Sequence, residues 1–147
     1  MNDRSFFSGI NMQIVNNTIV IPVNGDMDDD YAMLLQKKIL EKVKATSVRG
    51  VLIDMSDVKT LDTFTFSLLV DTARMISMLG TRVVFVGFQP GVVSALVDLD
   101  VDFKDISTAV TMEDGFELLQ SNRTIIPFYD ASDLMTSSSI TEKNNEQ

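Results

Sequence analysis

Thr60-Leu61-Asp62-Thr63 places two hydroxyls and a carboxylate between an apolar β-branched run and a strongly amphipathic helical pattern. A strand-to-helix turn of this kind ends in a helix N-terminus, where free backbone N–H groups and the positive end of the dipole face the incoming side chains. Such a place suits an anion, including a phosphoryl group carried by a side chain there. With Asp62 as N-cap, its carboxylate accepts first-turn N–H groups, and Thr63 projects outward. A phosphoryl group on Thr63 would bring nearly two negative charges to the helix end and penalise any partner docked over it. The alternative is that Thr60 and Thr63 only cap and satisfy the turn. Asp54, Asp57 and Asp62 lie in the same stretch and could together bind Mg²⁺, although loop acids and helix caps are the ordinary roles of such residues.

Composition narrows the chemistry further. The 147 residues contain no cysteine, which excludes disulfides, thiolate catalysis and zinc–thiolate sites. They contain no histidine, which removes the commonest general base and metal ligand. No nucleophile–base pair stands out and there is no phosphate-binding glycine loop, so an enzyme is not expected and no cofactor is implied. The net charge of −9, from 21 acidic and 12 basic residues, repels nucleic acid and anionic lipid and favours a protein partner with a basic patch. The same charge also serves solubility. No apolar run is long enough to span a bilayer and no signal-peptide layout opens the chain, so a soluble, intracellular protein is expected.

The elements that position the turn form a βαβ unit. Val51–Met55 and Arg82–Val86 are short β-branched runs flanking the helical pattern. That helix is expected to start near Asp62 or Thr63, to bury Phe64, Leu68, Thr72, Met75 and Leu79, widened by Leu69, Ala73 and Ile76, and to end at Gly80. Upstream, Asn16-Asn17 between two apolar runs predicts a hairpin whose second strand, Thr18–Val23, ends near Pro22. Met27, Tyr31, Leu35, Ile39 and Val43 recur every four residues and predict a helix from about Asp28 to Lys44, with acids first and lysines later. Downstream, Gln89-Pro90 opens a third, short helix ending near Asp98. Val101–Ile106 reads as a last edge strand, and Thr111 as the N-cap of a final helix over Met112–Gln120. Residues 1–11 are expected to be frayed. Residues 123–147 form a C-terminal extension with an apolar patch at Ile125–Tyr129, disordered from about Met135.

Gly50-Val-Leu-Ile-Asp54, Asp62-Thr63, Met78-Leu-Gly80, Val86-Gly-Phe-Gln-Pro90 and Val97-Asp-Leu99 together resemble the STAS domain of anti-sigma factor antagonists, most of all its stressosome branch of RsbS and RsbR type. The resemblance runs from about Met12 to Leu119. It implies a single α/β domain, residues 12–122, with a mixed four- to five-stranded sheet and helices mainly on one face. It implies a cytoplasmic, non-catalytic bacterial regulator that self-associates with a sensory RsbR-type paralogue into a large complex and sequesters a switch serine/threonine kinase. The family's phospho-acceptor falls on Thr63, and Asp54, Asp57, Thr60, Asp62, Thr63, Phe64, Gln89 and Pro90 are expected to form the partner surface. Phe64-Thr65 departs from the small Ser-Gly pair of sporulation-type antagonists. A simple anti-sigma factor antagonist and a STAS subunit of a transporter are the alternatives. A response-regulator receiver, with Asp54 as acceptor, would need one more βα unit ahead of Val51 than the chain supplies.

Overall fold

The computed structural model describes residues 10–121 except Asn24, Asp26, Asp102 and Asp105. Expectations for residues 1–9 and for the extension after Ser121 lie outside the described residues. Two short strands open the domain: β1 (Gln13–Val15) and β2 (Thr18–Pro22) form an antiparallel hairpin. Asn16 and Asn17 turn it with φ of 51° and 62°, the left-handed pair that a two-residue turn between twisted strands requires. Then follow α1 (Asp29–Ala45), β3 (Gly50–Asp54), α2 (Thr63–Met78), β4 (Arg82–Val86), α3 (Pro90–Asp98), β5 (Thr108–Ala109) and α4 (Met112–Gln120). The sheet order is β1-β2-β3-β4-β5, parallel from β2 onward, so the expected mixed sheet has five strands.

Strands β3 and β4 lie inside the sheet and are buried along nearly their whole length, the reason both read as continuous apolar runs. Their two faces feed two cores. Val51, Ile53, Val83 and Phe85 meet α1, α2 and α3 on one face, and Leu52, Val84 and Val86 meet Leu119 of α4 on the other. Helix α4 lies close on the sheet: a Cβ on Gly115 would stand 2.6 Å from Val86 Cγ1 and 2.7 Å from Leu52 Cδ2.

Two expectations are corrected. The buried stripe of α2 is Thr65, Phe66, Leu69, Val70, Thr72, Ala73 and Ile76, whereas Phe64, Met75 and Leu79 are exposed and Leu68 is half-buried. Apolar residues outside the buried stripe, Phe64, Met75 and Leu79 among them, widen the pattern of this helix, so its period admits more than one phase. Packing on the sheet and the bonds to α1 fix its rotation. The edge strand is not Val101–Ile106 but Thr108–Ala109, paired with Phe85 and Val86. Val101, Phe103 and Ile106 turn into the main core, filling the space beyond α3 where a strand had been expected.

Candidate functional site

The loops that leave β2, β3 and β4 all lie at the carboxyl ends of parallel strands, where open α/β sheets place their binding sites. Backbone bonds extend the ladders into them: Val23 N–H donates to Asp54 O (3.0 Å) and Met55 N–H to Val86 O (2.8 Å). Half-buried Asp54 turns its Oδ1 onto the N–H of Ser56 at 3.0 Å. The Gln89 side-chain amide donates to the carbonyl of the same Ser56 at 2.7 Å, so the β4–α3 turn is tied to the β3–α2 loop. Gly87, at φ +77°, allows that approach: a Cβ there would stand 3.1 Å from Ser56 Cβ in a backbone region L side chains avoid. Asp57 lies against the β2–α1 loop, its carbonyl oxygen 2.9 Å from where a Cβ on Gly25 would be.

Asp62 is the N-cap of α2 in extended conformation, and its Oδ1 accepts from Thr65 N–H at 2.7 Å. Thr63 is the first helical residue and is exposed, as are Thr60, Asp62 and Pro90. Phe64 is 59% exposed beside it. Thr63 also lines a cleft of about 360 Å³, with Ser67, Asp71 and Arg74 of α2 and Leu99 and Val101 beyond α3. The adjacent hydroxyl of Thr65 is different: it is fully buried and donates to Asp29 Oδ1 of α1 at 2.8 Å. Of the three threonines near the turn, Thr60 and Thr63 are exposed and Thr65 is buried.

The structure therefore brings Asp54 and Gln89 together through Ser56, sets Asp57 against the β2–α1 loop, and places Asp62, Thr63 and Phe64 at the next helix start. The sequence reading did not single out Ser56, nor the Asp29–Thr65 bond. A second bond, Gln36 Nε2 to Thr72 Oγ1 at 3.0 Å, ties the same two helices. Both pairs are separated by 36 residues because α1 and α2 follow adjacent parallel strands. Among the described residues no group of three acidic side chains is placed to hold a metal ion. Among the described residues one helix precedes β3, where a receiver carries two βα units ahead of its acceptor strand. No helix among the described residues is long and apolar enough to cross a membrane.

Replacing Asp62 with alanine removes the cap acceptor. The expected cost is about 1 kcal/mol, with Asp62→Asn retaining most of it. Urea unfolding of both variants against the parent checks this, and equal stabilities would mean the cap contributes nothing.

Comparison with known proteins gives three results. A family model described as the STAS domain matches residues 9–115. The chain is 24% identical over 104 residues to the RsbT co-antagonist protein RsbRA of Bacillus subtilis, covering 71% of this chain but only 38% of that protein, so it spans well under half of that relative's length. Among solved structures it is similar to a serine-to-glutamate variant of RsbS from Moorella thermoacetica (TM-score 0.66, 22% identity, covering 76% of this chain and 94% of that one). It is also similar to the anti-sigma factor antagonist SpoIIAA in its unphosphorylated form (TM-score 0.61, 16% identity, covering 78% of this chain and 99% of that one).

Proposed function

The chain belongs to the STAS-domain family, and from that premise we propose that it is a non-catalytic regulatory scaffold of the stressosome kind, which sequesters a switch serine/threonine kinase and releases it when Thr63 is phosphorylated. The observation that carries this reading is the contrast at the head of α2. Thr63 is exposed at the first helical position beside a capping aspartate, while Thr65, two residues on, is buried and hydrogen-bonded. A kinase that reaches this turn in the folded protein finds Thr63 and not Thr65. In the transfer, Thr63 Oγ1 forms the bond to the γ-phosphorus of ATP, the bond to the ADP oxygen breaks, and the hydroxyl proton leaves to the kinase's base. ATP and Mg²⁺ belong to the kinase.

The partner surface on this reading is Asp54, Asp57, Thr60, Asp62, Thr63, Phe64, Gln89 and Pro90, gathered on the loops at one end of the sheet. Its carboxylates suit a partner with a basic face. The partners are the switch kinase, a sensory RsbR-type paralogue and further copies of this chain, in the bacterial cytoplasm, with neither nucleic acid nor membrane involved. The likeness to the RsbT co-antagonist and to RsbS supports the stressosome branch. The likeness to SpoIIAA keeps a simple one-to-one antagonist as the second reading, and assembly size separates them.

The test is intact-mass analysis and site mapping after incubation with ATP and the switch kinase encoded beside this chain. One added phosphate on the parent, absent from Thr63→Ala and retained by Thr60→Ala, is the expected result. No phosphate on any of them, with a kinase active on another substrate, overturns the switch.

A further inference from the structure

Helix α4 covers only part of its face of the sheet. It lies over β3, β4 and β5, while α1, α2 and α3 pack on the other face. The pairing registers set Val15, Thr18, Gly50 and Arg82 in one row across β1, β2, β3 and β4. A Cβ on Gly50 would meet the Leu119 side chain of α4, and paired residues share a face, so the whole row lies on the α4 face. At the β1 end of that row Val15 is 41% exposed. Val20, two residues past Thr18 on the same face, packs against the α4 core yet is only half-buried. The β1–β2 part of this face therefore keeps apolar surface that α4 leaves uncovered.

The other end of the row holds the exit of the chain. Arg82 donates from Nη1 to the carbonyl of Ser121, the C-cap of α4, at 2.8 Å. The sequence continues from there, and residues 125–129, Ile-Ile-Pro-Phe-Tyr, are an uncharged run between Arg123 and Asp130. From Arg82 to Val15 is three strand steps, roughly 14 Å at the usual strand spacing. The four residues from Asn122 to Ile125 span about 13 Å when extended. Ile125 is therefore within reach of the Val15 end of the row. The stretch ahead of β1 arrives on the opposite face, because Ile10 and Met12 pack against the main core.

We propose that residues 125–129 fold back across this face and seat on Val15 and Val20 of the β1–β2 hairpin, extending the layer that α4 begins. The point of exit and the reach of the chain choose this occupant, and charge agrees with them. The hairpin lies between Arg4 and Asp26, a stretch without a charged residue, and residues 124–129 have none either. Burying one against the other therefore strands no charge. The short tether matters as well. It gives the segment an effective concentration in the mM range, which a second copy or a foreign chain must exceed to displace it. Exposed Met78 and Leu79 are apolar too, but they belong to α2 on the other face. The inference goes beyond the proposed function and does not depend on Thr63.

The test is nuclear Overhauser spectroscopy of the full chain, joined to limited trypsin digestion. Contacts between the Phe128 ring and the methyl groups of Val15 and Val20, within one chain, are the expected result. Mixing isotope-labelled with unlabelled protein separates contacts within a chain from contacts between chains. Trypsin reports the same docking at Arg123, which lies between α4 and the seated run. Phe128→Asp and Val15→Glu are each expected to speed cleavage after Arg123 at least about tenfold, because each raises the population of the open segment. Met78→Glu, at a residue 86% exposed on α2, is expected to leave the rate unchanged. Absence of the Phe128 contacts overturns the proposal. So do contacts found only between chains, which make a second copy the occupant, or contacts to Met78 and Leu79 instead. A parent cleaved after Arg123 as fast as Phe128→Asp overturns it too. No kinase or ATP is present, so neither result bears on the Thr63 switch.

Discussion

Phe66→Ala is expected to cost about 3–5 kcal/mol, the usual range for emptying a buried aromatic site. Phe66 is 1% exposed, and its ring lies 5.3 Å from that of Phe103 and 6.4 Å from that of Phe88, centroid to centroid. Phe88 in turn lies 5.9 Å from Phe85 of β4. The cluster therefore joins the first turn of α2, the β4–α3 turn and the segment beyond α3. Each aromatic pair adds roughly 0.5–1.5 kcal/mol beyond the area it buries. Domains of this size have about 5–15 kcal/mol in total, so the variant keeps a reduced margin. Its thermal midpoint should fall by about 10 °C or more. Phe66→Leu fills most of the volume and should lose about 1.5 kcal/mol or less. Calorimetry or urea unfolding of both proteins checks this, and a loss under about 1.5 kcal/mol for the alanine variant would mean that the cluster does not hold the head of α2. The consequence reaches the site, because Phe66 is three residues past Thr63 on the same helix.

Phosphorylation of Thr63 should weaken the bound kinase at least about tenfold while leaving the domain's own stability nearly unchanged. These two effects have different causes. Within the domain, a dianion at the first helical position meets the positive end of the α2 dipole, worth about 0.3–1 kcal/mol in its favour, against repulsion from the capping Asp62. The terms oppose each other, and Thr63 is exposed, so water screens both. In the complex the same group must be desolvated against whatever covers Thr63 and Phe64, and few partners return that cost. A tenfold change requires only about 1.4 kcal/mol. Calorimetric titration and thermal unfolding of the phosphorylated and unmodified protein separate the two. A fall in the thermal midpoint that matches the lost affinity would mean that phosphorylation acts by unfolding the turn rather than by repelling the partner. Unchanged affinity would remove Thr63 from the docking surface.

The sequence alone determined the order of elements and most of their limits, because those are set by local chemistry. Asn16-Asn17 turns the hairpin, Asp28 and Asp62 cap their helices with bonds of 2.7 Å, Gly80 ends α2 with φ +87°, and Pro90 opens α3. Each of these is decided within four residues of chain, and each is where the pattern put it, save that Asp28, expected in the first turn of α1, is its cap. The candidate site was legible to the same extent: a capped turn followed by a threonine is a local motif.

Tertiary structure alone decided which way each element faces. The rotation of α2 was not readable because Phe64, Leu68, Met75 and Leu79 are as apolar as the residues that are buried. Contact with the sheet, and with Asp29 and Gln36 of α1, turned the stripe toward Thr65, Phe66 and Val70, while Thr72, Leu69, Ala73 and Ile76 are buried as the pattern had them. The last edge strand was misplaced for a related reason. Val101 and Phe103 alternate as a strand would, but they and Ile106 pack into the main core, and pairing with β4 passes to Thr108–Ala109. Period reports that a segment has an apolar face. Only the packed neighbours, tens of residues away in sequence, settle which face it is and hence that Thr65 is buried against α1.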